Sequence, residues 1–184
     1  MHPKSITHAN TSYDLSHIPH SQAYQFSWIG QNGKKLNYKV EVTYSTHCYS
    51  EEHKQGDAIN SGSYIFTDKR TKRIFCPIRH AHSLILPGLV KDLFNKPASL
   101  ILKPKEKPNW LFYNMDMVPP LRGGQRYYIF FNLRQKVSDR DSTDPYWLSM
   151  FIESAYARNQ PVGTAEKRPF GRLAEEIVNS NRAA

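Results

Sequence analysis

Apolar and polar residues alternate along residues 24–29 and again along 36–45, where Tyr38, Val40, Val42 and Tyr44 take every second position. A period of two puts such side chains on one face of a strand. Gln31-Asn32-Gly33-Lys34 separates the two runs, and Asn-Gly between alternating segments predicts a hairpin, because both residues tolerate positive φ. Residues 63–67 and 73–76 predict a second hairpin across Asp68-Lys69-Arg70-Thr71, a turn charged enough to face water. From residue 81 to 95 the period becomes helical, through Leu84, Leu89, Val90, Leu93 and Phe94. Pro87-Gly88 interrupts that run, so the helix either begins near Pro87 or kinks there. Further strands are predicted at 99–103, 110–115 and 126–133. Residues 146–156 fit both periods and are read as a strand paired with 126–133. Phe170, Leu173, Ala174, Ile177 and Val178 mark a closing helix, with Pro169 near its first turn.

These elements sum to an α+β fold, a mostly antiparallel sheet with one central and one C-terminal helix, in a single domain over residues 23–184. Residues 1–22 show no period and carry His2, His8, His17 and His20; they read as a flexible or loosely docked polar arm. No apolar run approaches the length needed to cross a bilayer, and the N-terminus has no apolar signal region. A cytoplasmic protein with no membrane partner is expected. Cys48 and Cys76 are the only cysteines, too few for a disulfide framework.

Charge changes the picture. The formal net charge is +9, and the cations cluster: Lys69, Arg70, Lys72, Arg73 and Arg79; Lys103, Lys105 and Lys107; Arg122, Arg126, Arg134, Lys136 and Arg140. Clustering near turns points to RNA or another polyanion, or to an acidic protein surface. Arg73, Lys69, Arg70, Arg122 and Arg126 are the candidate nucleic-acid contacts.

Candidate chemistry gathers at Arg73-Ile74-Phe75-Cys76-Pro77-Ile78-Arg79-His80-Ala81-His82-Ser83, where an apolar strand gives way to a helix. His47, Cys48, Cys76, His80 and His82 are zinc-ligand types, but adjacent His47 and Cys48 point to opposite faces of a continuing strand and the spacing fits no standard module. No metal and no cofactor are expected. Metal-free phosphodiester cleavage needs a base, an acid and cations for the developing charge. Arg79 could grip the phosphate, His80 or His82 could act as acid or base, and His47 could complete the pair, with Glu153 and Tyr156 as alternatives. For each residue alone the ordinary structural role competes with this one. Aromatics beside cations, as at Tyr127, Tyr128, Phe130 and Phe131 after Arg126, can stack bases, although in strands they more often build core.

His47-Cys48, the stretch Phe75 to Leu84 with Leu86-Pro87, and Glu153-Ser154-Ala155-Tyr156 resemble a group of bacterial mobile-element proteins designated stationary-phase growth adaptation or heat-shock proteins. The resemblance spans residues 36–178. It implies mobile-element biology and raises the expectation of a toxin, or of a protein that meddles with host defence. At fold level only, the chain is also similar to small basic ribonuclease toxins of the RelE and barnase kind. The leading expectation is thus a metal-independent ribonuclease toxin. Its rival is a non-enzymatic protein that blocks a nucleic-acid-binding host or defence complex; either can have a neutralising or target protein as partner.

Overall fold

A computed structural model describes residues 2–53, 63–68, 71–105, 109–114, 124–136 and 145–182. The fold is α+β. Its centre is a mixed seven-stranded sheet in the order β12-β8-β9-β10-β11-β4-β3. The strands are β3 (Ser21–Ile29), β4 (Lys35–Tyr44), β8 (Leu100–Pro104), β9 (Trp110–Asn114), β10 (Arg126–Gln135), β11 (Tyr146–Arg158) and β12 (Thr164–Pro169). Neighbours run antiparallel except β11 with β4, which pair parallel from Tyr146↔Tyr38 to Ile152↔Tyr44. The Asn32-Gly33 hairpin forms as its pattern predicts, with Gly33 at φ 74°. β11 pairs with β10 as the ambiguous run was read.

β5 (Ser50–Glu52), β6 (Ile65–Asp68) and β7 (Thr71–Phe75) make a separate three-stranded sheet, ordered β5-β7-β6. Between β4 and β5 lies a single 3-10 turn, Thr46–Cys48.

The central helical segment is two helices, α1 (Pro77–Ser83) and α2 (Leu86–Asn95). Pro77 opens the first, where its missing N–H costs nothing, so the helix starts earlier than the apolar period suggests. Pro87 sits in the first turn of the second; a continuous helix there would lose a hydrogen bond and clash with the preceding turn. α3 (Phe170–Arg182) closes the described chain.

α2 and α3 cover one face of the central sheet. Leu86, Val90, Leu93 and Phe94 of α2, and Phe170, Leu173, Ala174 and Val178 of α3, meet Phe26, Tyr38, Val40, Val42, Leu148, Met150 and Ile152 in the main core. Phe26 stacks on Tyr38 with centroids 4.7 Å apart, and Phe94 and Phe170 pack around that pair. A bulge interrupts β10 and β11: Phe131 faces Ile152, whereas Phe130 faces Ser154, leaving Glu153 as the extra residue. The core side of β11 therefore passes from Leu148, Met150 and Ile152 to Ala155. Leu111, Tyr128 and Phe130 form a second, small cluster on the opposite face.

Residues 1–22, read as a flexible or loosely docked polar arm, carry a hairpin of β1 (Ser5–His8) and β2 (Thr11–Asp14) and the start of β3. Ile6, Leu15 and Ile18 are buried in the main core. Three well-spaced apolar residues anchor an otherwise hydrophilic segment, a signal too sparse to give a period. Among the described residues no helix is long and apolar enough to cross a membrane.

Candidate nucleic-acid interface

The residues bunched in sequence after Cys76 lie on α1, which turns about 100° per residue and so aims neighbours in different directions. Arg79 turns towards β5. One of its amino groups, Nη1, donates to the carbonyls of Ser50 at 2.7 Å and His47 at 3.2 Å. Its guanidinium lies 5.3 Å from the Tyr156 ring centroid, and Tyr156 stacks on Phe130 at 5.4 Å. Arg73 is buried and also reaches Ser50, through Nε to Oγ at 2.8 Å and Nη2 to the carbonyl at 3.0 Å. The Ser50 carbonyl thus ties β7 and α1 to β5.

His80 points the other way. A ring nitrogen lies 2.7 Å from the Asp14 carbonyl, and the ring packs edge-on to Tyr13 and His17. His82 is buried, 6.0 Å from the Tyr127 ring. Of the predicted catalytic set, the structure brings Arg79, the His47 backbone and Tyr156 together, and sends His80 to the N-terminal hairpin and His82 to the core. Lys69, Arg70 and Arg122 lie outside the described residues.

Burial pushes the Cys48 thiol up to about 12, with the neighbouring Ser45 backbone, Arg79 and Arg73 opposing. Burial also raises the Cys76 thiol. Both cysteines are free, and at neutral pH neither offers a thiolate. Among the described residues, no three His, Cys, Asp or Glu side chains gather where a metal ion could be held.

The other side of the central sheet has a different character. Along β11, Trp147, Ser149 and Phe151 face away from the helices, alternating with Leu148, Met150 and Ile152. Trp147 keeps 38% of its surface exposed and Phe151 36%, although β11 is an inner strand of the sheet with β10 on one side and β4 on the other. Lys39 of β4 is in register with Trp147, and Lys136, just beyond β10, donates its amide to the Trp147 carbonyl at 2.9 Å. Both ammonium groups reach the indole, at 5.2 Å for Lys39 and 5.3 Å for Lys136. Lys136 also pairs with Glu41 at 2.6 Å. Next along, exposed Arg134 stands opposite Ser149. A recess of about 410 Å³ opens beside Trp147, over Ala23, Gln25, Lys39 and Glu41.

Further down the strand, the Glu153 carboxylate accepts hydrogen bonds from the Asn132 amide at 3.1 Å and from the Asn109 amide. Two neutral donors hold it in place beside Phe151. At the end of the strand pair, Arg126 of β10 stands directly opposite Arg158 of β11.

Sequence reasoning reached Arg126 and named Tyr156 and Glu153 as alternatives, but passed over Trp147, Phe151, Lys39 and Arg158. The signal lay in residues 146–152, where Tyr146, Leu148, Met150 and Ile152 make one alternating set and Trp147, Ser149 and Phe151 the other, each with large apolar side chains. Such a run does not say which set faces a core.

No curated protein and no solved structure matches the chain. A family model does, over residues 5–178, which takes in the N-terminal hairpin, both sheets and most of α3. On that match the chain belongs to the YjaZ family.

Proposed function

We propose that this YjaZ-family chain is an RNA-binding protein, which holds single strands on the uncovered face of its sheet and acts by occupancy. The observation that carries the reading is Trp147, an indole 38% exposed on the face away from the helices, with the ammonium groups of Lys39 and Lys136 drawn to its ring. Exposed aromatics on a sheet stack bases, while flanking ammonium groups hold phosphates, and neither contact demands a particular sequence. Phe151, four residues on, repeats the ring on the same face. The +9 charge supplies long-range attraction.

Occupancy is favoured over turnover because α1 divides Arg79, His80 and His82 among three neighbours, whereas cleavage needs acid, base and cation around one phosphate. The resemblance to mobile-element proteins of stationary phase and heat shock fits the same proposal: a cytoplasmic protein that occupies RNA needed by the host or by a defence complex.

The test mixes the purified protein with a single-stranded oligoribonucleotide and with total RNA in the presence of a chelator. RNA should be bound, stay intact, and be released as salt rises. Trp147→Ala should weaken binding while leaving the fold intact. RNA cleavage under chelation that Arg79→Ala abolishes would replace this reading by a metal-independent ribonuclease, and absence of binding would end it.

A further inference from the structure

The central sheet has two edges, and they are finished differently. β12, at one end of the order, has six residues and a bulge between Thr164 and Glu166. Glu166, Lys167 and Arg168 crowd it with charge, and Pro169 ends it. Charge, proline and a bulge on a short strand all discourage a further strand from pairing there. β3, at the other end, has nine residues and among them no charge and no proline. It pairs with β4 without a bulge, from Ser21↔Thr43 to Ile29↔Lys35.

The hairpin shows which backbone groups of β3 point away from the sheet. The Gly30 amide donates to the Lys34 carbonyl at 2.9 Å. Hydrogen-bonded pairs alternate along an antiparallel ladder, so Trp28, Phe26, Tyr24 and Gln22 turn their backbone groups towards β4. Ser21, Ala23, Gln25, Ser27 and Ile29 turn theirs outwards, and all five residues are exposed. Among the described residues nothing bonds to those outward groups.

We infer that β3 pairs antiparallel with β3 of a second copy of this chain, making a twofold dimer with one continuous sheet. The strand is self-complementary about Gln25. With Gln25 opposite the partner's Gln25, Ala23 stands opposite the partner's Ser27 and Ser21 opposite the partner's Ile29. Every outward N–H and C=O of the strand then has a partner, and no like charges oppose one another. On the helix side Tyr24 meets the partner's Phe26, at the non-hydrogen-bonded positions where side chains come closest. Tyr24 stacks on Phe94 and Phe26 on Tyr38, so this aromatic packing continues across the axis. An extended peptide of another protein would pair through the same backbone groups. The second copy is favoured because its side chains match at every position of the twofold register.

The experiment measures the mass of the purified chain by light scattering and sedimentation across the micromolar range. Wild-type protein should reach twice the mass of one chain. Two copies at +9 repel each other and salt screens that repulsion, so association should tighten as salt rises. Gln25→Lys and Gln25→Glu each set like charges together on the axis and should weaken association about tenfold or more. Gln25 is exposed and stands opposite Lys39 of β4, so Gln25→Glu should keep the wild-type Tm. Mixed in equal amounts, the two variants should form the dimer again.

Amide exchange supplies the register. On concentrating wild-type protein it should slow at Ala23, Gln25 and Ser27, and stay unchanged at Tyr24 and Phe26, whose amides already serve β4. A wild-type chain that stays single throughout, or a dimer that Gln25→Glu leaves as tight, would overturn the inference. So would an edge protected only by an added extended peptide. Mass and exchange are read without RNA, so their outcome stands apart from the reading of Trp147.

Discussion

The two faces of the central sheet are built from the same strands and share every backbone hydrogen bond, yet they follow opposite rules. On the helix side, Leu148, Met150 and Ile152 are fully buried under α2 and α3. On the other side, Trp147 and Phe151 of the same strand stay open among Lys39, Arg134 and Lys136. A mid-sheet tryptophan left in water forgoes stabilisation that burial would supply, at about 25 cal/mol per Å². The comparison separates residues sealed in the core from residues left partly exposed, and it does so by one-residue alternation.

The largest effect should come from breaking the covered face. Phe131, fully buried between Phe112 and Phe170, should cost about 3–5 kcal/mol of stability when replaced by alanine, read as a lower Tm and denaturation midpoint. Gly171→Ala should cost about 1–3 kcal/mol, because a methyl group at Gly171 would overlap the indole of Trp28 where α3 meets β3. On the open face the order reverses. Trp147→Ala should cost less stability than Phe131→Ala, about 1–2 kcal/mol, and weaken single-stranded RNA binding by about 1–3 kcal/mol, measured by fluorescence anisotropy. If Trp147→Ala unfolds the protein, the contrast between the faces fails.

Acid should act on neither face but on the N-terminal hairpin. His2 reaches the Tyr44 carbonyl at 2.7 Å and the Tyr49 hydroxyl at 2.9 Å, and His17 reaches Ser83 Oγ at 2.7 Å. Burial is the main cause that holds both imidazoles below their ordinary 6.5; next to it stands the charge of His80 for His17, which Asp14 opposes, whereas the Tyr44 carbonyl pulls His2 upward and the N-terminus and His20 push it down. Groups with lowered folded-state values take up protons on release. Their stabilisation is complete above pH 6.5 and is lost as pH falls below it towards the folded values. Hydrogen exchange in β1 and β2 should therefore quicken between neutral and mildly acidic pH, with β10 and β11 unchanged over the same interval. The smallest effect is reserved for Glu41→Gln, which removes a half-buried ion pair with Lys136 and should cost about 0–1 kcal/mol while freeing that lysine for phosphate.

Much of the fold was legible because its signals are local. Alternation from Leu36 to Tyr44, Asn32-Gly33, and the spacing of Phe170, Leu173, Ala174 and Val178 each act within one element. β1, β2, β5 and β12 were missed, since their residues are mostly polar and set no apolar alternation. The parallel pairing of β4 with β11 joins segments a hundred residues apart, and no local pattern encodes it. The candidate site was less legible still. Arg79, His80 and His82 look like one cluster when written in a line, and a helix separates them.

By itself the sequence determined the strand and helix alphabet, the cationic balance and the residues able to stack or grip an anion, because periodicity and composition are properties of the chain alone. Only the tertiary structure decided which set of alternating residues on β11 stays open, that Arg73 and Arg79 are tied to Ser50, and that Arg126 and Arg158 are register partners. Those outcomes depend on which strands pair and which face the helices cover, and both are settled by contacts between residues far apart in the chain.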